Sequence, residues 1–231
     1  MRRVIAAFKI GLKEMLVVPS EFVGEIAGNL VFYALVSLAL SSIIPNHWRY
    51  LAATLLVLPP LDIFASIVEA FTKEVQHGWS KVFARPCNWF LFVCFRKLGN
   101  RLLVYLINAL IGLFILHISG GFNPIGLIAI PLCLFFDLSV AYVVGALAYF
   151  LKETWGIRIY FFELPYLSFG GAFIGAPNLP VVFSGRFYLS ALFLLGETGL
   201  PLFPFVLIPI FLIAGWLLHK KGQEVFEAWG G

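Results

Sequence analysis

Charge is scarce in this sequence. Only 12% of its 231 residues are Asp, Glu, Lys or Arg, whereas 61% are hydrophobic, and the mean hydropathy is +0.96. Soluble domains carry about 25% charged residues, and a chain this apolar cannot place a polar surface around its own core. The composition therefore excludes a water-soluble enzyme, a nucleic-acid-binding domain and a disordered tail. It predicts an all-α integral membrane protein.

Cysteine and catalytic motifs are also scarce. The three cysteines, Cys87, Cys94 and Cys133, are an odd number without a C-x-x-C pair, which favours buried thiols over a disulfide or a metal site. No H-E-x-x-H or G-x-S-x-G motif occurs, and the four histidines are spread over different segments. The sequence thus predicts a chain that is not an enzyme and that holds no metal and no cofactor of its own.

The first segment, residues 1–19, reads as an amphipathic helix. Its apolar residues recur at spacings of three and four, and its basic residues lie on other faces; the apolar set is Ile5, Phe8, Leu12 and Met15. Lys9 and Lys13 interrupt the unbroken apolar run that a signal peptide needs. We expect this helix to lie in the headgroup region of the membrane and to end at Pro19.

Residues 20–231 form one predicted transmembrane domain. A helix needs about 20 mostly apolar residues to cross a bilayer, and the sequence predicts six such spans, at about 22–44, 51–71, 102–118, 127–151, 157–174 and 201–218. A charged connection, 72–101, joins the second span to the third. The stretch 175–200 is broken by Gly and Pro into pieces too short to cross, which is typical of a re-entrant segment covered by protein.

The basic residues are distributed unevenly about these spans. Fourteen of the sixteen Lys and Arg residues lie on the side that holds both termini, and only Arg49 and Arg186 lie on the other. Because Lys and Arg concentrate in cytoplasmic loops, we expect both termini to be cytoplasmic.

The largest polar stretch is residues 73–86. Val75, Trp79 and Val82 place apolar side chains among its charges, a pattern that fits a short helix docked on a partner. It also fits an interfacial loop with Trp79 among the headgroups, and periodicity alone favours this second interpretation.

The run Glu74-Val75-Gln76-His77-Gly78-Trp79-Ser80-Lys81-Val82-Phe83-Ala84-Arg85-Pro86 resembles a segment of the ABC-2 family of exporter permeases. In that family an acidic residue, a polar residue, Gly, a spacer and Arg-Pro precede a basic helix, which here carries Arg96, Lys97, Asn100 and Arg101. The basic N-terminal helix, the six spans, the Gly/Pro-rich stretch before the last span and the Gly230-Gly231 ending are similar too.

The resemblance implies an exporter permease without its own motor, in the plasma (inner) membrane of a prokaryote. No G-x-x-x-x-G-K-[ST] phosphate loop occurs, so ATP would be hydrolysed by a separate ATP-binding-cassette subunit. A second permease, identical or different, would complete the assembly. The implied ATPase-coupling residues are Glu74, Gln76, His77, Gly78, Trp79, Lys81, Arg85 and Pro86. The implied gate includes Gly175, Pro177 and Pro180.

Polar groups within the spans are the second class of candidates, because charge in lipid is costly. Glu25, Asn29 and Tyr33 recur every four residues and share one face of the first span, where they line either a translocation path or the seam between permeases. Asp137, midway along the fourth span, is a further candidate for the path or the seam. These carboxylates motivate an alternative, a proton-coupled secondary transporter. A third possibility is a membrane assembly subunit that transports nothing.

Overall fold

The computed structural model describes residues 2–41, 46–57, 60–77, 89–151, 154–163 and 182–228. In these ranges the chain is helical and has no strand, which confirms the predicted all-helical class. The helices are α1 (Arg2–Val17), α2 (Pro19–Leu40), α3 (His47–Val57), α4 (Pro60–His77), α5 (Trp89–Ile118), α6 (Ala129–Leu147), α7 (Trp155–Arg158), α8 (Val182–Leu195), α9 (Leu202–Val206) and α10 (Ile208–Ala228). A 3₁₀ turn, Pro124–Ile128, leads into α6, and a π-helical turn, Ile159–Glu163, follows α7.

Two stretches of the described chain are long and apolar enough to cross a membrane, Phe90–Ile118 and Pro124–Leu147. A third candidate span is counted if Arg3–Val17 and Pro19–Val36 are taken together as one broken span. These two helices are bent by 86° at their junction. Pro19 is the first residue of α2, a position that needs no backbone N–H, so the bend is placed where a proline costs least.

Helix α5 combines two predicted segments. Residues 89–101, which lie in the predicted connection and include the basic helix that the resemblance implies, continue into the third span as one unbroken helix. This half of α5 packs against α1, with the closest approach at Gly11 and Gly99, and its Val93 and Cys94 are buried in the main core. The helix ends at Gly120 and Gly121, whose φ angles of 112° and 80° are accessible mainly to glycine.

The core lies where α3 packs on α5, α4 packs on α5 and α6, and α6 packs on α10. Leu55, Leu56, Phe136 and Val144 are almost completely buried there. Helix α8 covers α3 and the 3₁₀ turn, and the Asn123 N–H donates to the Leu194 carbonyl at 2.9 Å. This helix occupies part of the predicted re-entrant stretch.

The break between α3 and α4 has a specific partner on α5. Pro60 has no N–H to donate to the carbonyl of Leu56 four residues before it. The Tyr105 hydroxyl donates to that carbonyl instead, at 3.1 Å. A backbone acceptor freed by proline is thus satisfied by a neighbouring helix, as it must be in an apolar environment.

Candidate functional site

The predicted coupling residues begin at the end of α4. Glu74 is half-buried, and Gln76 and His77 complete the last turn of the helix. Gly78, Trp79, Lys81, Arg85 and Pro86 lie outside the described residues, as do the gate residues Gly175, Pro177 and Pro180. We call residues 74–86 the coupling segment. The structure describes the helix ends on its two sides, the end of α4 and the start of α5.

The end of α4 is anchored by side chains that point into the protein. Phe71 and Val75 are buried, with exposures of 0% and 1%. The Phe71 ring packs edge-on against Phe90 near the start of α5, with 5.4 Å between the ring centroids. The hydroxyl oxygens of Thr72 and Thr154 are 3.1 Å apart and share a hydrogen bond. The end of α4 and the start of α5 thus meet in one buried contact, that of Phe71 with Phe90.

His219 of α10 lies at the centre of this contact. Its imidazole stacks on Tyr142 with a centroid distance of 4.8 Å and an interplanar angle of 22°. Phe71, Phe90 and Tyr149 meet its other sides edge-on at 5.3 to 5.4 Å. We call these five residues the aromatic cluster; they come from α4, α5, α6, the turn after α6, and α10.

Two glycines allow α10 to enter the aromatic cluster. Gly215 and Gly222 lie four residues before and three residues after His219, on the same helix face. A Cβ on Gly215 would stand 2.5 Å from the Tyr142 ring, and one on Gly222 would stand 2.6 Å from the Tyr149 ring. The absence of these side chains is what lets α10 and α6 approach closely enough for the histidine to stack.

The imidazole of His219 is 6% exposed, and its Nε2 atom has no hydrogen-bond partner. Burial lowers the pKa of His219 to about 4, because a charged imidazolium would lose its hydration. The group is therefore neutral at physiological pH, and its role is to fill space among the rings.

Arg158 joins α4 to the segment that follows α6. Its guanidinium contacts Glu69 of α4 at 2.9 Å and Glu163 at 2.8 Å. Lys73 adds a contact to Glu69 at 2.6 Å. Glu69 lies in the middle of α4, and the chain continues from Glu163 towards the predicted gate residues. This ionic group therefore connects α4 to the segment that precedes the predicted gate.

Helix α1 is fixed to the first half of α5 by two glycines. A Cβ on Gly11 would overlap the Arg96 carbonyl, and one on Gly99 would overlap the Phe8 carbonyl. Beside this crossing, Arg96 binds the Glu14 carboxylate through Nη2 at 2.5 Å and through Nε at 3.1 Å. Helix α1 is thus a close-packed part of the helical assembly.

The predicted path residues have different surroundings. Glu25 forms an ion pair with Arg101 of α5, Asn29 is half-buried, and Tyr33 is 2% exposed. Asp137 is completely buried, but it lies on α6, which packs on α4 and α10. The structure thus joins Glu25 to α5 and places Asp137 on a separate part of the core.

Sequence reasoning missed the aromatic cluster and the crossing of α1 with α5. The spacing of Gly215, His219 and Gly222 was the available signal for the first, and Gly11 in the middle of an amphipathic helix was the signal for the second. In the described ranges, no three His, Cys, Asp or Glu side chains come together as a metal ion would require.

No protein-family model matches the chain, and no curated protein sequence matches it.

Proposed function

We propose that the chain is the permease subunit of an ABC-2 type exporter in the plasma (inner) membrane of a prokaryote. It crosses the membrane six times, with both termini in the cytoplasm, and pairs with a second permease. A separate ATP-binding-cassette subunit hydrolyses ATP. The long apolar helices, the placement of fourteen of the sixteen basic residues on one side and the resemblance of residues 74–86 support this assignment.

The main support for the proposal is the contact of α4 and α5 within the aromatic cluster. The helix ends that flank the predicted coupling segment, α4 and α5, meet in the aromatic cluster, where Phe71 and Phe90 also contact His219 of α10. A close-packed interior transmits displacement because it is hardly compressible. A force applied to the coupling segment therefore reaches four long helices through direct side-chain contact.

The mechanism follows from these contacts. Nucleotide-driven closure of the ATPase subunits displaces the coupling segment, and α4 and α5 move with it as rigid bodies. Helix α1 follows α5 through the Gly11–Gly99 crossing. The ionic group of Glu69, Arg158 and Glu163 carries the movement of α4 to the stretch before the gate. Such coupling needs docked and packed helices and no catalytic side chain in this chain.

A proton-coupled secondary transporter remains the second candidate because Asp137 is completely buried within an apolar helix. Glu25, the other carboxylate of that hypothesis, is held by the Arg101 guanidinium, which favours a structural role for it. Uptake or export by proteoliposomes under a pH gradient, without ATP or a partner, would decide for this candidate.

The proposal is tested by co-expression of the chain with the ATPase subunit that copurifies with it. We expect Trp79→Ala and Gly78→Pro to lower ATP hydrolysis by the complex, because both alter the coupling segment. Trp48→Ala is the matched control, since Trp48 is 49% exposed and lies on α3, which contributes no residue to the aromatic cluster or to the Arg158 ionic group. Unchanged copurification together with unchanged hydrolysis in both coupling variants would contradict the assignment.

A further inference from the structure

Helix α1 presents three different faces. Ala7, Gly11 and Met15, spaced by four residues, are buried, and Gly11 marks the side that meets α5. Lys9 and Lys13 are exposed, and each follows a buried residue by two positions. Since two residues correspond to about 200° around a helix, the two lysines lie together on the face opposite α5.

An apolar flank lies next to the lysines. Ile5 and Leu16 are 47% and 56% exposed, and Leu12 lies between them on the same side of the helix. An exposed apolar stripe beside lysines is the arrangement found in helices that lie at a membrane surface, with the apolar side chains at the acyl boundary and the ammonium groups among the phosphates.

The orientation of α1 agrees with this arrangement. Its axis is bent by 86° from that of α2. If α2 crosses the membrane, as the proposed six-span topology requires, α1 runs along the membrane plane. The crossing at Gly11 and Gly99 fixes α1 on α5 and so keeps the two lysines on the side turned away from the helices.

The charge of the lysine face is not balanced within α1. Glu14 is the one acidic residue in the sequence of this helix, and its carboxylate is bound by Arg96 of α5. The lysine pair therefore faces outward with a net positive charge, which complements an anionic surface.

We propose that Lys9 and Lys13 bind the phosphate groups of anionic phospholipids in the leaflet on which α1 lies. The pair is four residues apart, one turn of helix, so both ammonium groups reach the headgroup layer while Ile5 and Leu16 enter the acyl boundary. This inference rests on the proposed membrane topology. It does not depend on the ATPase subunit.

The test measures lipid binding by the full chain in a neutral detergent, using mass spectrometry of intact protein–lipid complexes. The probes are phosphatidylglycerol and phosphatidylcholine with identical acyl chains, with inorganic phosphate as a competitor. A lysine near an anionic membrane surface contributes a factor of about five in affinity. By this reckoning we expect Lys9→Gln/Lys13→Gln to bind phosphatidylglycerol roughly twenty-five times more weakly than the wild type does. Its affinity for phosphatidylcholine should equal that of the wild type.

The matched control is Lys9→Arg/Lys13→Arg, which keeps both charges and should keep the affinity for phosphatidylglycerol. Lys220→Gln/Lys221→Gln removes the same charge from two exposed lysines of α10, of which Lys220 lies over the Trp216 ring at 5.9 Å, and should lower the affinity less than the α1 variant does. Inorganic phosphate should not compete, because it lacks the acyl chains that Ile5 and Leu16 meet. All these variants alter exposed side chains, and equal melting temperatures without added lipid will verify that they are folded.

Three results would overturn the proposal. The first is an equal loss of affinity in the α1 and α10 variants. The second is competition by inorganic phosphate. The third is unchanged lipid binding together with weaker copurification of the ATPase subunit, which would assign the lysine face to a protein partner. None of these measurements involves ATP, so failure of the coupling assignment leaves this test intact.

Discussion

His219 shows how burial sets the state of a single side chain. In the sequence it opens a basic tail, beside Lys220 and Lys221, and nothing local distinguishes it from an exposed histidine. In the structure, Gly215 and Gly222 bring it among four aromatic rings. Its neutral form is then favoured over the charged form, because burial among the rings removes the hydration that an imidazolium needs.

We predict a pH-dependent loss of stability that originates at His219. The imidazole of the unfolded chain binds a proton with the ordinary histidine pKa of 6.5, whereas in the folded chain the pKa of His219 is lowered to about 4. Stability contributed by the neutral imidazole is therefore fully present above pH 6.5 and falls as the pH falls towards 4, by about 3 kcal/mol in all.

The measurement is the melting temperature of the full chain in detergent from pH 7 to pH 4, compared with His219→Phe. The variant keeps a ring in the aromatic cluster and cannot bind the proton, so its melting temperature should fall less with acidification. Parallel curves for the two proteins would show that His219 does not contribute to the acid sensitivity.

At the scale of elements, local patterns predicted the all-helical class and the N-terminal helix, and they missed what depends on contacts between helices. The described residues hold two candidate spans, or three with the bent pair, against the six predicted. The amphipathic spacing in residues 1–19 and the proline at position 19 correspond to α1 and its end. The fusion of residues 89–101 with the third span was not predicted, because Arg96, Lys97 and Arg101 give this basic segment the polar character of a connection. Their helix is stabilised by α1, and no property of the segment alone reveals a partner.

The aromatic cluster could not be predicted for a related reason. Its residues lie in five separate parts of the sequence, from Phe71 to His219. Helical periodicity identifies which residues share a face of one helix, but it does not state which faces of different helices meet. The ion pair of Glu25 with Arg101 could not be predicted for the same reason, because only the packing of α2 on α5 brings the two groups together.

We predict that an added methyl group has opposite effects at two glycines of neighbouring helices. At Gly11 the Cβ of Gly11→Ala would overlap the Arg96 carbonyl, so α1 must move away from α5 and the melting temperature should fall. At Gly24 no atom lies within 4 Å of the corresponding Cβ. Gly24→Ala should therefore raise stability by up to about 1 kcal/mol, the usual gain in helix propensity.

Melting of both variants in the same detergent checks this prediction, and Gly99→Ala provides a second probe of the crossing because its Cβ would overlap the Phe8 carbonyl. An equal response at Gly11 and Gly24 would mean that α1 does not pack closely on α5.

At the scale of the whole molecule, the scarcity of charge and its placement support one account. In the proposed topology the basic residues gather at one side, together with α1, the coupling segment and the base of α10. Helix α5 carries both the crossing with α1 and Phe90 of the aromatic cluster, and α4 carries both Phe71 of the cluster and Glu69, which binds Arg158. A permease driven by an external motor needs such continuity between the docking segment and its long helices.

In the proposed mechanism, the aromatic cluster transmits the action of the ATPase subunit to the long helices. ATP hydrolysis by the reconstituted complex with His219→Ala tests this most directly. This change leaves a cavity between α4, α5, α6 and α10 without altering the coupling segment. Leu217→Ala, at a 52% exposed position of the same helix, is the control. The account predicts normal binding of the ATPase subunit and a severalfold lower rate of hydrolysis for His219→Ala alone. A rate equal to or above that of the wild type would contradict it.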